Sequence, residues 1–174
     1  QWQSLSAQNP NNRVLTLENY LGDLYLGGSF TRIGSRSHLE NIARWNGDDW
    51  RTVGTNTFKT DAIIQSLKTL NNKLIAVGSF SSIGGVTHAD NIAQWDGKQW
   101  VAMNVDPING YVSDMAYYNG QYVAIGDFTQ LSSGARASRF ATLNNGVWQM
   151  LPPQLGLDTA GYALTVYNKQ LILG

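Results

Sequence analysis

LYLGGSF (24–30) and NIARWNGDDW (41–50) decide the architecture of this chain, because both segments recur twice at a nearly constant spacing. The later copies, of which the third is the most divergent, read LIAVGSF (74–80), NIAQWDGKQW (91–100), YVAIGDF (122–128) and RFATLNNGVW (139–148). The matching phenylalanines are 50 and 48 residues apart, at Phe30, Phe80 and Phe128. A period of this length that contains several short β-patterns predicts the blades of a β-propeller rather than a helical solenoid.

Each repeat unit contains four predicted strands, named a to d here, which are separated by turn residues. In the first unit they are VLTLENY (14–20), LYLGGSF (24–30), NIARWN (41–46) and DWRTV (49–53). Residues that tolerate positive φ are expected to turn strand a into strand b, at Gly22-Asp23, Asn71-Asn72, Asn119-Gly120 and Asn168-Lys169. Short hairpin signals are expected to turn strand c into strand d, at Asn46-Gly47, Asp96-Gly97 and Asn145-Gly146. No segment has a helical period, so the predicted class is all-β, with four-stranded antiparallel blades.

Glycine, phenylalanine and tryptophan recur at fixed repeat positions, which indicates a structural role. A glycine inside strand b is costly unless another group approaches closely, and the aromatic rings of the blade are the expected neighbours of Gly28, Gly78 and Gly126. All six tryptophans occupy two repeat positions, one in strand c (Trp45, Trp95) and one in strand d (Trp2, Trp50, Trp100, Trp148). Tryptophan also forms sugar-stacking platforms, but the fixed position in the repeat favours packing within and between blades.

The whole chain, residues 1–174, is interpreted as a single β-propeller segment of about three and a half blades. Its repeats occupy approximately 1–5 (partial), 14–54, 63–104, 112–151 and 162–174 (partial). Gly174 matches Gly27 in the middle of strand b, whereas closed propellers have about four to eight blades. We therefore expect a piece of a longer chain, with self-association of two copies into one ring as the less favoured alternative. The first and last blades should then present apolar faces that other protein covers.

Composition narrows the possible partners and chemistry. Only 14% of the residues are charged and the formal net charge is zero, so nothing favours nucleic acid or an anionic membrane as a partner. The absence of cysteine excludes disulfides, cysteine–zinc sites and thiol catalysis in this sequence. No apolar run approaches the roughly 20 residues of a membrane span. The low charge and the polar Asn, Ser and Thr content favour an extracellular or cell-surface location.

The repeat resembles the kelch repeat, in which an apolar strand, Gly-Gly, a long connection and a second apolar strand precede a tryptophan in the outermost strand. It is more closely similar to kelch-like units that read GG-x-F and then IA-x-W-[ND]-G-x-x-W, such as those of fungal cortical polarity-marker proteins and bacterial cell-surface repeat proteins. In the third unit, Leu143 replaces the strand-c tryptophan and Arg139-Phe140 replaces Asn-Ile. The resemblance implies a β-propeller with strand a innermost and strand d outermost, and it implies no catalytic residues.

The longest segments between predicted strands join b to c, at 31–40, 81–90 and 129–138. Loops on a rigid scaffold are common positions for binding residues. His38, His88 and Arg136 occupy one repeat position, and Arg32 and Arg36 add charge, which predicts a partial ring suited to an acidic or polyhydroxyl ligand. The favoured alternative is that each histidine and the acid and asparagine after it bond the loop to itself, through Glu40 and Asn41 or through Asp90 and Asn91.

The leading functional hypothesis is a non-catalytic interaction scaffold from a larger extracellular or cell-surface protein, with a protein or glycan partner. A lectin-like module that binds glycans at the b–c loops is one alternative. A fragment of a propeller enzyme, with its catalytic residues outside this segment, is another. The two histidines are repeat equivalents, and no catalytic triad, metal-binding spacing or cofactor motif is recognised, so no cofactor or metal is predicted.

Overall fold

All regular secondary structure that the structure describes is β-strand. The computed structural model describes residues 8–55, 62–103, 108–131, 133–144, 146–150 and 157–174. Its strands are β1 (Val14–Tyr20), β2 (Asp23–Gly28), β3 (Ile42–Trp45), β4 (Trp50–Arg51), β5 (Ile63–Leu70), β6 (Lys73–Ser79), β7 (Ser82–Ile83), β8 (Val86–Thr87), β9 (Ile92–Trp95), β10 (Trp100–Ala102), β11 (Val112–Tyr118), β12 (Gln121–Gly126), β13 (Phe140–Asn144), β14 (Val147–Met150), β15 (Leu164–Tyr167) and β16 (Gln170–Leu173). Helices are absent from these ranges, which confirms the all-β class and leaves no helix there that spans a membrane.

Three four-stranded antiparallel sheets follow one another along the chain, and each corresponds to one repeat unit. Sheet 1 has the order β1-β2-β3-β4, sheet 2 the order β5-β6-β9-β10 and sheet 3 the order β11-β12-β13-β14. The two-stranded sheet β15-β16 follows, at the place of strands a and b of a fourth unit. Neighbouring sheets meet at their first strands, because β5 contacts β1, and β11 contacts both β5 and β15.

The turns between strands a and b use two residues with positive φ, the geometry that matches the twist of a hairpin. Three of the four turns lie at the predicted pairs, at Asn71-Asn72, Asn119-Gly120 and Asn168-Lys169. The first turn is Leu21-Gly22 rather than Gly22-Asp23, because Asp23 already pairs with Tyr20 in the ladder. Leu21 therefore adopts φ 53° with its side chain 85% exposed, since the pairing register requires a left-handed residue there.

In units one and two, the turns between strands c and d are longer than the predicted two-residue hairpins, whereas in unit three Asn144 pairs with Val147 and two residues separate the strands, as predicted. Trp45 pairs with Trp50, and Trp95 with Trp100, so that four residues separate the paired tryptophans in units one and two. The carboxamide oxygen of Asn46 accepts hydrogen bonds from the backbone N–H groups of Asp48 and Asp49, and Asp96 does the same for the next turn, which closes each loop as an Asx-turn. Strand d is correspondingly short, with two residues in β4. Asn145, which belongs to the third predicted turn, lies outside the described residues.

The repeated glycine at the end of strand b makes room for a backbone carbonyl group. A Cβ atom at Gly28 would lie 2.1 Å from the carbonyl oxygen of Arg13, and that oxygen accepts a hydrogen bond from Ser29 N at 3.0 Å. Gly78 and Gly126 stand in the same relation to the carbonyl oxygens of Ile63 and Tyr111, at 2.0 and 2.1 Å. The group that requires glycine is therefore the backbone entering strand a, beside a β-bulge, rather than the expected aromatic ring.

The two tryptophan positions pack as a pair inside each of the first two sheets. Trp50 and Trp100 are 4% and 1% exposed, and their ring centroids lie 5.2 and 5.4 Å from those of Trp45 and Trp95. Trp148 and the three strand-b phenylalanines, Phe30, Phe80 and Phe128, are also buried. Trp2 lies outside the described residues. The rings thus form the centre of the core under each b–c loop.

The core continues across the sheet interfaces. Tyr25 and Ile42 of sheet 1 belong to the same buried cluster as Trp95 and Trp100 of sheet 2. At the next interface, the equivalent residues Ile75 and Ile92 of sheet 2 join Leu143 and Trp148 of sheet 3. Sheets 1 and 2 therefore each bury one face against the strand-c and strand-d side chains of the sheet that follows.

The first and last sheets expose large apolar side chains. In β1, Leu15 and Leu17 are 43% and 60% exposed, and in β16, Ile172 and Leu173 are 44% and 39% exposed. Leu17 corresponds to Leu67 of β5 and Ile172 to Ile75 of β6, and both of those counterparts are 1% exposed. Leu17 and Ile172 therefore mark faces that lack, within the described structure, the neighbouring sheet that covers their counterparts.

Candidate binding surface on the b–c loops

Buried aliphatic residues hold the b–c loops against the sheets. Ile33 and Leu39 are fully buried in the first loop and pack in one cluster with Phe30 and Trp50. Their counterparts are buried in the other two loops, namely Ile83, Ala89, Leu131 and Ala137. The loops are not wholly irregular, because β7 and β8 form a small hairpin in the second loop, and Ile33 and Arg36 form a bridge in the first. The loops are therefore part of the core and not loose connections.

One polar residue at the end of each loop bonds it to the start of the next unit. The side-chain amide of Asn41 donates to the carbonyl oxygens of Gly28 at 3.3 Å and of Ala62 at 2.5 Å. The amide group of Asn91 likewise donates to Gly110 O at 2.8 Å, and the guanidinium of Arg139 donates to Leu157 O and Asp158 O. All three residues have positive φ, at 58°, 76° and 60°. Asn41 and Asn91, which were expected to bond each loop to itself, thus also bond each loop to the backbone that leads into the next unit.

A second asparagine position, which the sequence analysis did not identify, anchors the start of the loop. Asn11 Oδ1 accepts hydrogen bonds from the backbone N–H groups of Thr31 at 2.9 Å and Arg32 at 3.1 Å. Asn109, which occupies the same repeat position, bonds the third loop in the same way at 2.9 and 3.0 Å. A repeated asparagine ahead of strand a was the available signal. The first loop is therefore fixed at both ends by side-chain amides, and the third by the amide of Asn109 and the guanidinium of Arg139.

Four of the five candidate binding residues lie exposed on this loop surface, namely Arg32, His38, His88 and Arg136. Arg36 is the exception, because its Nη1 atom lies 2.6 Å from Asp49 Oδ1 and 2.9 Å from the carbonyl oxygen of Trp50. The hydrogen bond from Arg36, together with the backbone N–H of Trp50, holds the pKa of Asp49 below its ordinary value. Arg36 thus joins the loop to the turn between strands c and d.

The shared repeat position of His38, His88 and Arg136 does not give them the same backbone setting. His88 has φ 60°, whereas neither of the other two residues has positive φ. Arg136 forms a backbone bridge with Gln130, although in the second loop the corresponding pairing involves Thr87 and Ser82. The structure therefore presents these three side chains in different local geometries, and the third loop differs most.

A shallow polar cavity lies on the third loop. Its volume is about 470 Å³, and it is lined by Thr129, Gln130, Gly134 and Arg136. Gln130 Nε2 donates to Gly134 O at 3.3 Å, which shapes one wall. The arrangement offers a guanidinium group, an amide and a hydroxyl, which are groups that recognise anionic or hydroxyl-bearing ligands.

A buried polar network, which the sequence analysis also missed, joins three consecutive units at their first strands. Asp114 is 5% exposed and accepts hydrogen bonds from Ser66 Oγ at 2.8 Å and from the backbone N–H of Leu164 at 2.7 Å. Its Oδ2 atom lies 2.6 Å from Lys68 Nζ. A charged residue inside the apolar strand VSDMAYY (112–118) was the signal for this network. With these partners the buried carboxylate is fully bonded, so the network serves to position the strands.

The described residues contain no cluster of side chains suited to a metal ion, and the shifted tyrosine pKa values have structural causes. No group of three or more His, Cys, Asp or Glu side chains is positioned to hold a metal ion in those parts of the chain. The pKa of Tyr25 is raised by burial, against the opposing hydrogen bond from Arg44, and burial likewise raises the pKa of Tyr122. These shifts follow from packing in the sheets.

Comparison with known proteins adds no assignment. No family model matches the sequence, and no curated protein matches it. The kelch-like resemblance therefore stays an interpretation of the repeat motifs.

Proposed function

We propose that this chain is a kelch-like β-propeller segment that acts as a non-catalytic interaction scaffold in a larger extracellular or cell-surface protein. The observation that carries the proposal is the contact between the first strands of successive sheets, from β1 to β5, β11 and β15. Sheets that meet at one strand and fan outward share an inner axis, which is the arrangement of propeller blades. The fixed strand order within each sheet supports the same reading.

The loop surface supports recognition as the role of the scaffold. Its backbone is fixed by buried aliphatic residues and by the amides of Asn11, Asn41, Asn91 and Asn109. The exposed side chains that it presents differ from unit to unit. A rigid loop backbone with variable exposed side chains lowers the entropy cost of binding and leaves specificity to those side chains.

A glycan-binding role is the second candidate, and the cavity beside Arg136 favours it. The cavity is shallow and is lined by polar groups, with Thr129 and Gln130 next to the guanidinium. Sugar hydroxyl groups are matched by side chains of this kind, which both donate and accept hydrogen bonds. An acidic sugar would also use the charge of Arg136.

The test is a binding screen of the chain against panels of extracellular proteins and glycans, followed by matched variants. The loop variant carries alanine at Arg32, His38, His88 and Arg136, and Arg36 is kept because it bonds Asp49. The control variant carries alanine at Lys98 and Lys169 in the strand turns, which removes the same formal charge of two. We expect the loop variant to lose about tenfold or more in affinity, equal to about 1.4 kcal/mol, while the control stays near the parent value.

Both variants should have the same melting temperature as the parent chain, because the substituted side chains are exposed. If every ligand found in the screen bound the loop variant as tightly as the parent chain, the loop surface would not be the recognition surface. Binding of glycans alone, abolished by Arg136→Ala, would select the second candidate.

A further inference from the structure

The third b–c loop turns back on itself at a different place from the second loop. In the second loop Ser82 pairs with Thr87, whereas in the third loop Gln130, the repeat counterpart of Ser82, pairs with Arg136. The third hairpin therefore has one more residue between its paired positions. The extra residue brings Arg136 beside Gln130, although its counterpart His88 takes no part in the pairing of the second loop.

This pairing explains why the shallow cavity of the third loop has two polar side chains next to each other. Residues that face each other in an antiparallel ladder have their side chains on the same face, with Cβ atoms about 5 Å apart. Gln130 and Arg136 line the cavity of about 470 Å³ together with Thr129 and Gly134. None of the four lining residues has an apolar side chain, so the wall of the cavity is polar throughout.

The backbone around the cavity is held in place by the protein itself. Asn109 Oδ1 accepts hydrogen bonds from the N–H groups of Thr129 and Gln130 at 2.9 and 3.0 Å, and its Nδ2 atom donates to Thr129 Oγ1 at 3.1 Å. In the turn, Leu131 N donates to Ala135 O at 2.9 Å. A ligand therefore meets a wall that is already ordered, which lowers the entropy cost of binding.

The lining side chains keep hydrogen-bond donors that the described protein does not use. The Thr129 hydroxyl accepts a hydrogen bond from Asn109, so its own proton is available to donate. Gln130 Nε2 donates one of its two protons to Gly134 O at 3.3 Å and keeps the other. Within the described ranges, the Arg136 guanidinium forms neither a hydrogen bond nor an ion pair. One cation and two neutral donors thus surround a single cavity, which is the pattern of an anion site.

We propose that this cavity binds a sugar that carries a carboxylate, of the uronic acid class, as part of an acidic glycan. The sugar carboxylate pairs with Arg136, because the planar guanidinium matches both carboxylate oxygens at once. The ring hydroxyl groups bond to the Thr129 hydroxyl and the Gln130 carboxamide, which can each donate and accept. The inference rests on the proposed recognition role of the loop surface and names the ligand class of one part of it.

An acidic peptide is the less favoured ligand. It would offer the same carboxylate to Arg136, but the wall of the cavity has no apolar side chain to contact the rest of the peptide. The cavity is also several times larger than a carboxylate group, so other polar groups of the ligand must fill it. A sugar ring supplies hydroxyl groups for that purpose.

The test compares methyl glucuronide with methyl glucoside, which differ only by a carboxylate in place of a hydroxymethyl group. Each sugar is titrated into the 174-residue chain, and the amide NMR signals of Thr129, Gln130 and Gly134 are followed. The glucuronide should bind with a Kd of about 1 mM, because a single exposed ion pair with a few hydrogen bonds gives weak affinity. The glucoside should bind about tenfold more weakly or less.

Matched variants assign the preference to one side chain. Arg136→Gln should abolish the difference between the two sugars, and Arg136→Lys should keep part of it, because lysine retains the charge and loses the two-point contact. Arg32→Gln is the control, since Arg32 is also exposed, lies in the first loop and carries the same charge. It should change the Kd by less than about twofold. All three variants should melt at the temperature of the parent chain.

Four outcomes would overturn the proposal. They are equal binding of the two sugars, equal losses from Arg136→Gln and Arg32→Gln, competition by acetate at the same concentration as the glucuronide, and tighter binding of an acetylated Gly-Glu-Gly peptide. Acetate competition would mean that the cavity recognises charge alone, and the peptide result would assign it to protein. The scaffold proposal is tested separately, because Arg32, His38 and His88 contribute to its loop variant and not to this cavity.

Discussion

The ammonium group of Lys68 lies 2.6 Å from Oδ2 of Asp114, and the two residues belong to the first strands of adjacent sheets. Lys68 also donates to the carbonyl oxygen of Leu164, and the N–H of Leu164 donates to the same carboxylate oxygen. One residue pair thus connects three consecutive units. Between sheets 1 and 2, a neutral hydrogen bond connects the first strands, because the N–H of Leu67 donates to Thr16 Oγ1 at 3.0 Å.

Replacement of Asp114 by alanine should destabilise the protein by about 3–5 kcal/mol, because it removes the counter-ion of the Lys68 ammonium and leaves the buried N–H of Leu164 without its acceptor. The measurement is the free energy of unfolding from denaturant melts. Asp127→Ala is the matched control, since the Asp127 carboxylate is 53% exposed and lies 3.6 Å from Arg139, and it should cost less than about 1 kcal/mol. Equal losses from the two variants would show that Asp114 does not join the sheets.

Trp100→Ala should cost about 3–5 kcal/mol in the same melts, because the ring is 1% exposed at the centre of its cluster. The indole N–H also donates to the carbonyl oxygen of Val53 at 3.0 Å, so Trp100→Phe should retain much of the packing and lose about 1 kcal/mol for that bond. Lys98→Ala in the adjacent turn should be close to neutral. A mild effect of Trp100→Ala would refute the packing role of the repeated tryptophan.

The two neighbouring glycines of strand b should respond differently to alanine. A Cβ atom at Gly28 meets the Arg13 carbonyl oxygen at 2.1 Å, so Gly28→Ala must move backbone and should cost about 3 kcal/mol or more. At Gly27 the nearest atoms are the Cγ2 methyl groups of Ile64 and Thr16, at 2.6 and 2.7 Å, so side chains rather than backbone must move and the cost should be smaller. Valine and isoleucine already occupy the Gly27 position in units two and three. A reversed order in melting experiments would contradict this account of the repeated glycine.

The acid stability of the first loop should depend on Arg36. Because its hydrogen bond lowers the pKa of Asp49 in the folded state, the pair stabilises the protein above the ordinary Asp value of about 4. That contribution is lost as pH falls through the lowered folded pKa. Arg36→Ala should raise the Asp49 pKa toward its ordinary value, as measured by carbon-13 NMR titration of the carboxyl groups.

The titration has two controls, the Asp96 carboxyl group in the same variant and a second variant, Arg51→Ala. The pKa of Asp96 should stay low in the Arg36→Ala variant, because backbone N–H groups of Gln99 and Lys98 lower it. Arg51→Ala should move the Asp49 pKa less, since Arg51 lies farther away, at 3.8 Å. An unchanged Asp49 pKa without Arg36 would mean that the loop is not bonded to the turn in solution.

Much of the fold was predictable from short-range pattern. The repeat period located each sheet, and Asn71-Asn72 and Asn119-Gly120 located hairpins, because only a few residue types accept two consecutive positive φ values. The turn predicted at Gly22-Asp23 was wrong because that prediction also relied on residue type alone. Leu21 is a poor residue for positive φ, so its place in the turn is set by the pairing of Tyr20 with Asp23 and is not visible from residue type.

The candidate site was predictable only in part. The sequence located the loops and the exposed residues His38, His88 and Arg136, since their position in the repeat can be counted. It did not distinguish Arg36 from Arg32, because the partner of Arg36 lies 13 residues away in another turn. Whether an arginine is exposed or paired depends on how the chain folds back.

By itself, the sequence determined the all-β class, the three similar units and the chemistry of the turns, because these follow from local φ preferences and from alternation of apolar residues. The tertiary structure alone decided which groups each repeated residue meets. It placed a carbonyl group against Gly28, Asn41 against the next unit, and the Asp114 carboxylate beside Lys68. These contacts join residues up to about 50 positions apart, and their energies depend on burial and distance, which no local pattern encodes.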